Sequence, residues 1–230
     1  MNRELLTTLY NHITRSYQFT LDTIVAPPFC AYCKQFLSMR QILCIDCYQM
    51  IDPVVSIALP VTSKVAINVM AIGNYQEPLK SMILAKAWSD IVACNQLGQL
   101  MWQATYFKNV PCDYLVPIPL HWLRFAKRGY NQAHEIANTL AAYKKVPVAP
   151  LLKRIRYTPF QSAIPHTQRA QNVKDIFVLK QSVDAQQYYG KHIVLVDDLM
   201  TTGATLVSAA KTLLPLKPAS INAIVVCRVV

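Results

Sequence analysis

Ile193-Val194-Leu195-Val196-Asp197-Asp198-Leu199-Met200-Thr201-Thr202-Gly203-Ala204-Thr205 is the stretch on which the fold turns. Four consecutive apolar residues predict a strand buried on both faces, as in parallel sheets covered by helices. Two carboxylates end the run, a Thr-Thr-Gly turn follows, and residues 203–214 continue at helical period. In open α/β sheets, ligands bind at the carboxyl ends of strands. A helix start there offers unpaired N–H groups and the positive end of a dipole, which suit a phosphate. Gly203 permits close backbone approach, and Thr201, Thr202 and Thr205 add hydroxyls. Adjacent Asp197 and Asp198 can accept hydrogen bonds from two vicinal hydroxyls of a sugar. The segment reads as a cradle for a ribose 5-phosphate. Plain helix capping, with acids favouring the dipole, accounts for one threonine but leaves the paired acids after an apolar strand unexplained.

Strands and helices alternate around this segment. Residues 65–75 are rich in β-branched side chains and predict a strand. Pro78 opens a long helical stretch to about residue 106, and 113–118 form a short buried strand candidate ended by Pro117 and Pro119. Residues 131–143 have helical period, 147–152 are a further strand candidate, and 221–227 close as a strand. The alternation predicts an α/β domain over 54–230, an open parallel sheet flanked by helices. Residues 54–60 read as a linker into it. Leu5, Leu6, Leu9, Ile13 and Tyr17 recur at threes and fours and predict a helical segment over 1–24.

Four of the seven cysteines fall as Cys30-x2-Cys33 and Cys44-x2-Cys47. Two such knuckles can close a tetrahedral thiolate shell, the preference of a structural Zn2+. The surrounding module, 25–53, has few residues for a core, so a metal would supply its folding energy. A pair of disulfides and a redox Cys-x-x-Cys are the alternatives. The first needs an oxidising compartment, and the second usually comes singly at a helix start. All four positions of the shell are protein, so no catalytic role follows.

The chain has 230 residues, 53% hydrophobic and 15% charged, which is enough apolar material for a core and excludes disordered, collagen-like and coiled-coil classes. No apolar run approaches the roughly 18 residues of a membrane-crossing helix. Glu4, Asn11 and His12 stand where a signal peptide needs an apolar stretch. Lys and Arg number 23 against 12 acids, a net charge of +11, and between His121 and Lys180 there are 11 basic residues and 2 acids. A basic excess in one segment suggests a face for polyanions; a merely solvated surface is the alternative. Within it, Arg124, Lys127 and Arg128 stand among Trp122, Phe125 and Tyr130. This mixture fits single-strand nucleic acid, by charge and stacking, and also a pyrophosphate, by arginine clamping. Lys153, Arg154, Arg156 and Arg169 extend the stretch.

Residues 193–205 resemble the phosphoribosyl pyrophosphate (PRPP) signature of type I phosphoribosyltransferases. Further blocks are similar to the ComF/ComFC competence family: Val116-Pro117-Ile118-Pro119-Leu120, Arg124, Arg128-Gly129-Tyr130-Asn131-Gln132-Ala133, and Thr158-Pro159-Phe160-Gln161 with Arg169, Asn172 and Phe177. A preceding four-cysteine module belongs to the same architecture. The resemblance spans about residues 25–230. It implies a type I phosphoribosyltransferase-like open sheet with a small N-terminal zinc ribbon. It implies that Asp197 and Asp198 hold the ribose hydroxyls and that Thr201, Thr202, Gly203, Ala204 and Thr205 hold the 5-phosphate. Pro117, Ile118 and Pro119 would form the pyrophosphate turn, with Mg2+ accompanying PRPP. The implied role is that of a cytoplasmic bacterial protein, peripheral at the inner membrane, which handles single-stranded DNA in natural transformation beside a translocation helicase or DNA-processing protein. The alternatives are an active phosphoribosyltransferase with an unknown acceptor and an adaptor docking through the zinc ribbon.

Overall fold

The computed structural model describes residues 29–39, 41–85, 91–156 and 176–229. The predicted helix over 1–24 and the block from Thr158 to Asn172 lie outside the described residues. The chain forms two compact units, Met1–Tyr48 and Gln49–Val230.

In the first unit, the chain between the two cysteine pairs folds back on itself. Phe29 and Phe36 form an isolated antiparallel bridge and their rings meet edge to face at 6.0 Å. A short helix, α1 (Ile45–Gln49), carries Cys47 inward. Among the described residues of this unit, Leu37, Ile42 and Leu43 are the buried aliphatic side chains.

The second unit is built on a five-stranded sheet. Its strands are β1 (Ile57–Pro60), β2 (Ala66–Asn74), β3 (Tyr114–Pro117), β6 (His192–Met200) and β7 (Ser220–Arg228), in the order β1-β2-β7-β6-β3. The pairings β2–β7, β7–β6 and β6–β3 are parallel. The expected open parallel sheet is therefore present. The expected linker is not: part of it, β1, pairs antiparallel with β2 and closes the edge. Pro60 is tolerated there because an edge strand has a side on which no ladder donor is needed. A separate two-stranded ribbon joins β4 (Leu152–Arg154) to β5 (Phe177–Leu179).

Helices cover the sheet as their apolar periods require. The expected long helical stretch appears as α2 (Leu79–Ala85) and α3 (Ile91–Ala104), the latter burying Cys94, Leu97, Leu100 and Met101 at threes and fours. Helices α4 (Trp122–Arg128) and α5 (Gln132–Lys144) follow β3, and a one-turn α6 (Ala185–Tyr188) precedes β6. Helix α7 (Ala204–Leu213) buries Leu206, Ala209, Ala210 and Leu213 in the cluster that also holds Ile193, Leu195, Ala223 and Val225 of the central strands.

Helices α3 and α5 cross closely at Gly98. A Cβ built there would lie 2.7 Å from Thr139 Cβ and 3.2 Å from the Ile136 carbonyl. Helix propensity alone would make Gly98→Ala stabilising by about 1 kcal/mol. Crowding against a neighbouring backbone reverses the sign, and we expect a net loss of about 1–3 kcal/mol. Thermal unfolding decides between them: a melting temperature at or above that of the parent would show that the crossing is loose.

Candidate functional site

The carboxyl end of the sheet gathers the residues that the sequence singled out. Strand β6 does not stop at its acids. It runs two residues further than the expected end at Asp198, because β7 continues beside it: Asp197 pairs with Val225, Leu199 with Cys227 and Met200 with Arg228. Strand β3 ends earlier, with Pro117 opposite Val196 and the Ile118 N–H donating to the Val196 carbonyl at 2.9 Å. Asp197 and Asp198 thus lie just beyond the reach of β3, both half-buried. Alternation along the strand puts them on opposite faces of the ribbon. Asp197 Oδ1 accepts the Asp198 main-chain N–H at 2.9 Å.

The turn that follows has the geometry of an anion-binding helix start. Gly203 sits at φ 74°, in the left-handed region that favours glycine, and is the N-cap of α7 with no side chain capping the helix. The Thr202 hydroxyl accepts the Ala204 N–H at 3.4 Å, while Thr201, Ala204 and Thr205 are half-buried and Thr202 is exposed. A Cβ on Gly203 would run into Leu59 Cδ1 of β1, so the edge strand walls the turn and fixes its height. The sequence showed no role for Leu59, because strand β1 was read as a linker.

The residues after β3 are held by caps. His121 Nδ1 accepts the Leu123 N–H at 3.3 Å and starts α4, and Gly129 at φ 80° ends it. Asn131 Oδ1 accepts the Ala133 N–H at 3.2 Å to start α5, while its Nδ2 donates to the Ile118 carbonyl at 3.0 Å. Asn131 therefore ties the start of α5 to the Pro117–Ile118–Pro119 turn. Arg124, Lys127 and Arg128 all belong to α4. Trp122 and Phe125 on the same helix are 67% and 50% exposed, whereas Tyr130 is 9% exposed and leaves little ring face for stacking. Arg154 lies over the Phe177 ring, 5.7 Å from its centroid, and Lys86 and Arg169 lie outside the described residues.

In the first unit, the sulfur atoms of Cys30, Cys33, Cys44 and Cys47 all lie within 4.8 Å of one another. The Cys33 and Cys44 sulfurs are 3.7 Å apart. A zinc–sulfur bond of about 2.3 Å gives a tetrahedral edge of about 3.8 Å, so the donor set fits zinc in both chemistry and spacing.

Residues 125–229 match the phosphoribosyl transferase domain family. Competence protein F of Haemophilus influenzae is 29% identical over 198 residues, covering 81% of this chain and 78% of that protein. Competence protein ComFC of Bacillus subtilis is 37% identical over 128 residues, 54% of this chain and 49% of that protein. The DNA utilization protein YhgH of Escherichia coli K12 is 31% identical over 117 residues, 50% of this chain and 49% of that protein. The chain is a homologue of competence proteins F and ComFC and carries a phosphoribosyltransferase domain.

Two further groups lie in the compact unit that holds this phosphoribosyltransferase domain. At the amino end of its sheet, His192 Nδ1 meets Ser220 Oγ at 2.8 Å, and Asp113 Oδ2 accepts the His192 main-chain N–H at 2.8 Å. The carboxylate holds the histidine's backbone and not its ring, so the trio is a clasp between strand starts and not a nucleophile with its base. At the carboxyl end, Tyr75 follows β2, and its N–H donates to the Arg228 carbonyl at 2.9 Å. Burial pushes its phenol above the usual range, and Cys227, Asp198 and Glu77 add to the shift. Among the described residues, no helix is long and apolar enough to cross a membrane.

Proposed function

We propose that this chain is a ComF-type competence protein that handles single-stranded DNA and carries a pocket for PRPP or a related phosphorylated ribose. The observation that carries the pocket is the join of β6 to α7: two half-buried acids run into a helix start whose N-cap is a glycine at φ 74°. In this reading Asp197 and Asp198 accept the ribose hydroxyls, while the turn Thr201–Thr202–Gly203 and the N–H groups of Ala204 and Thr205 take the 5-phosphate. Pro117, Ile118 and Pro119, anchored by Asn131, line the approach of a diphosphate. Mg2+ would ride on that diphosphate, since this ion binds through substrate phosphates and keeps its waters.

The DNA-handling part rests on the names of the relatives and on α4. Exposed Trp122 and Phe125 offer stacking faces in the most basic part of the chain. Base stacking is worth about 1–3 kcal/mol per aromatic group. Trp122→Ala with Phe125→Ala should therefore weaken binding to an oligothymidylate by about tenfold or more. Replacing Arg124 and Arg128 by Gln should reduce the slope of log affinity against log salt by about 1.4. Fluorescence anisotropy across a salt series measures both. An unchanged slope and affinity would move the DNA contact away from α4.

Calorimetry with PRPP and Mg2+, and with ribose 5-phosphate alone, tests the pocket; absence of both heats sinks it. A helicase or DNA-processing protein at the inner membrane is the partner expected for such a role. The second reading, an active phosphoribosyltransferase with an unknown acceptor, rests on the domain match over residues 125–229, and pyrophosphate release from PRPP in the presence of an acceptor tests it.

A further inference from the structure

The two ends of the sheet differ in charge. Asp197 and Asp198 stand at the carboxyl end, and so does Asp52, whose carbonyl accepts the Asn74 N–H at 3.0 Å. At the amino end, lysines border the strand starts. Lys191 immediately precedes β6, and its carbonyl accepts the N–H of Ala219, the residue before β7, at 2.9 Å. The Lys217 carbonyl accepts the Gly190 N–H at 3.0 Å, which brings Lys217 to the same two strand starts. Lys145 ends α5, and the nearby Pro147 carbonyl accepts the Leu115 N–H of β3 at 3.1 Å. Lys108 lies shortly before Asp113, whose N–H donates to the His192 carbonyl at 2.8 Å. Strands β3, β6 and β7 are neighbours, about 4.8 Å from one to the next. Lys108, Lys145, Lys191 and Lys217 are exposed, and none pairs with a carboxylate among the described residues. The acids described at this end serve main-chain N–H groups: Asp113 Oδ2 takes that of His192 at 2.8 Å, and Asp184 Oδ1 that of Gln186 at 3.0 Å.

A lysine near a helix end is ordinarily accounted for by the dipole. Lys144 is of that kind: its Nζ donates to the Lys108 carbonyl at 2.8 Å and lies over the Phe107 ring. Lys145 and Lys217 are not. Both are left-handed, at φ 59° and 49°, in cap positions where glycine is the usual residue. Glycine takes that conformation freely, whereas lysine carries backbone strain there and adds a charge. Beside Lys144, Tyr143 is 43% exposed and stacks on Trp102, with centroids 5.6 Å apart and 14° between the planes. Trp102 covers one face and holds the ring still, so the exposed remainder is set in advance for a flat partner. We propose that the amino end of the sheet is a docking face for single-stranded nucleic acid, with backbone phosphates on Lys108, Lys145, Lys191 and Lys217 and a base stacked on Tyr143. The proposal deepens the DNA-handling reading and rests on it for the partner. It puts this contact at the opposite end of the sheet from the phosphoribose pocket.

Fluorescence anisotropy of the full chain with an oligothymidylate, across a salt series, tests the face. Lys145→Gly with Lys217→Gly removes two charges and relaxes two left-handed residues. The melting temperature should hold or rise, while binding weakens and the slope of log affinity against log salt falls by about 1.4. Adding Lys108→Gln and Lys191→Gln should bring that fall to about 2.8. Tyr143→Leu should weaken binding about fivefold or more with the slope unchanged. An unchanged slope and affinity in the fourfold lysine variant overturns the assignment. So does an unchanged affinity in Tyr143→Leu, which would leave a face for polyanions in general. If Tyr143→Leu does not fold, the lysine variants decide. A loss in Arg124→Gln with Arg128→Gln but none in the lysine variants overturns this face and keeps the DNA-handling reading. A loss in the lysine variants alone keeps this face and moves the contact from α4. A parent chain that binds no oligothymidylate at low salt ends both.

Discussion

Metal analysis of the purified protein will find one zinc per chain, and Cys44→Ser combined with Cys47→Ser will reduce it to less than about a tenth, because two thiolates hold the ion far more weakly than four. Cys30, Cys44 and Cys47 are buried and Cys33 is exposed, with all four sulfurs drawn within 4.8 Å. Four thiols that close, without a cation, would crowd and repel as they ionise. Among the described residues, Leu37, Ile42 and Leu43 are the buried aliphatic side chains around them. At about 1.5–3 kcal/mol each they cannot hold a module of this size against chain entropy. A structural zinc supplies an apparent 10–16 kcal/mol or so in comparable small modules. Loss of the ion should therefore unfold the first unit and open residues 29–48 to limited proteolysis at native temperature. A double variant that retains its zinc, or a parent protein isolated without any, would show that the sulfur cluster serves another purpose.

Alanine at both Asp197 and Asp198 should abolish measurable binding of ribose 5-phosphate. Each acid in the proposed pocket accepts from a sugar hydroxyl, and a hydrogen bond to a charged group is worth about 1.5–3 kcal/mol. Loss of two predicts a fall of about 10²–10⁴ in affinity. The half-buried setting keeps water from replacing them fully, which favours the upper part of that range. Inorganic phosphate, which uses only the helix start, should keep its weak affinity in the same variant. Calorimetry or ligand-observed NMR reads both. An equal loss of phosphate and ribose 5-phosphate would show that the acids support the turn and do not touch the sugar.

Much of this site was legible because its parts carry strong local signals. An apolar run bounded by turns gave β6 and β7, and apolar residues at threes and fours gave α5 and α7. The cluster of four cysteine sulfurs was legible from spacing alone, since two knuckles have few other uses. Three features were not legible, for separate reasons. Strand β1 is four residues ending in proline, and pairing with β2 makes it a strand. The described side chains of helix α4, Trp122, Leu123, Phe125 and Ala126, are exposed, and its limits come from His121 and Gly129, a histidine cap and a left-handed glycine that periodicity cannot detect. The run of β6 past its acids reflects the strand beside it, because carboxylates signal an end while the ladder with β7 continues.

The placing of β7 between β2 and β6 bears on how the protein is made. As a nascent chain leaves the ribosome, β2 and β6 are complete while residues 220–228 are still to be added. Each then has an apolar flank with no ladder partner, the condition under which strands associate with the wrong neighbour. Until residues 220–228 are added, the seam between β2 and β6 stays open, and the acids and the helix start after β6 lack the strand that joins them to β2.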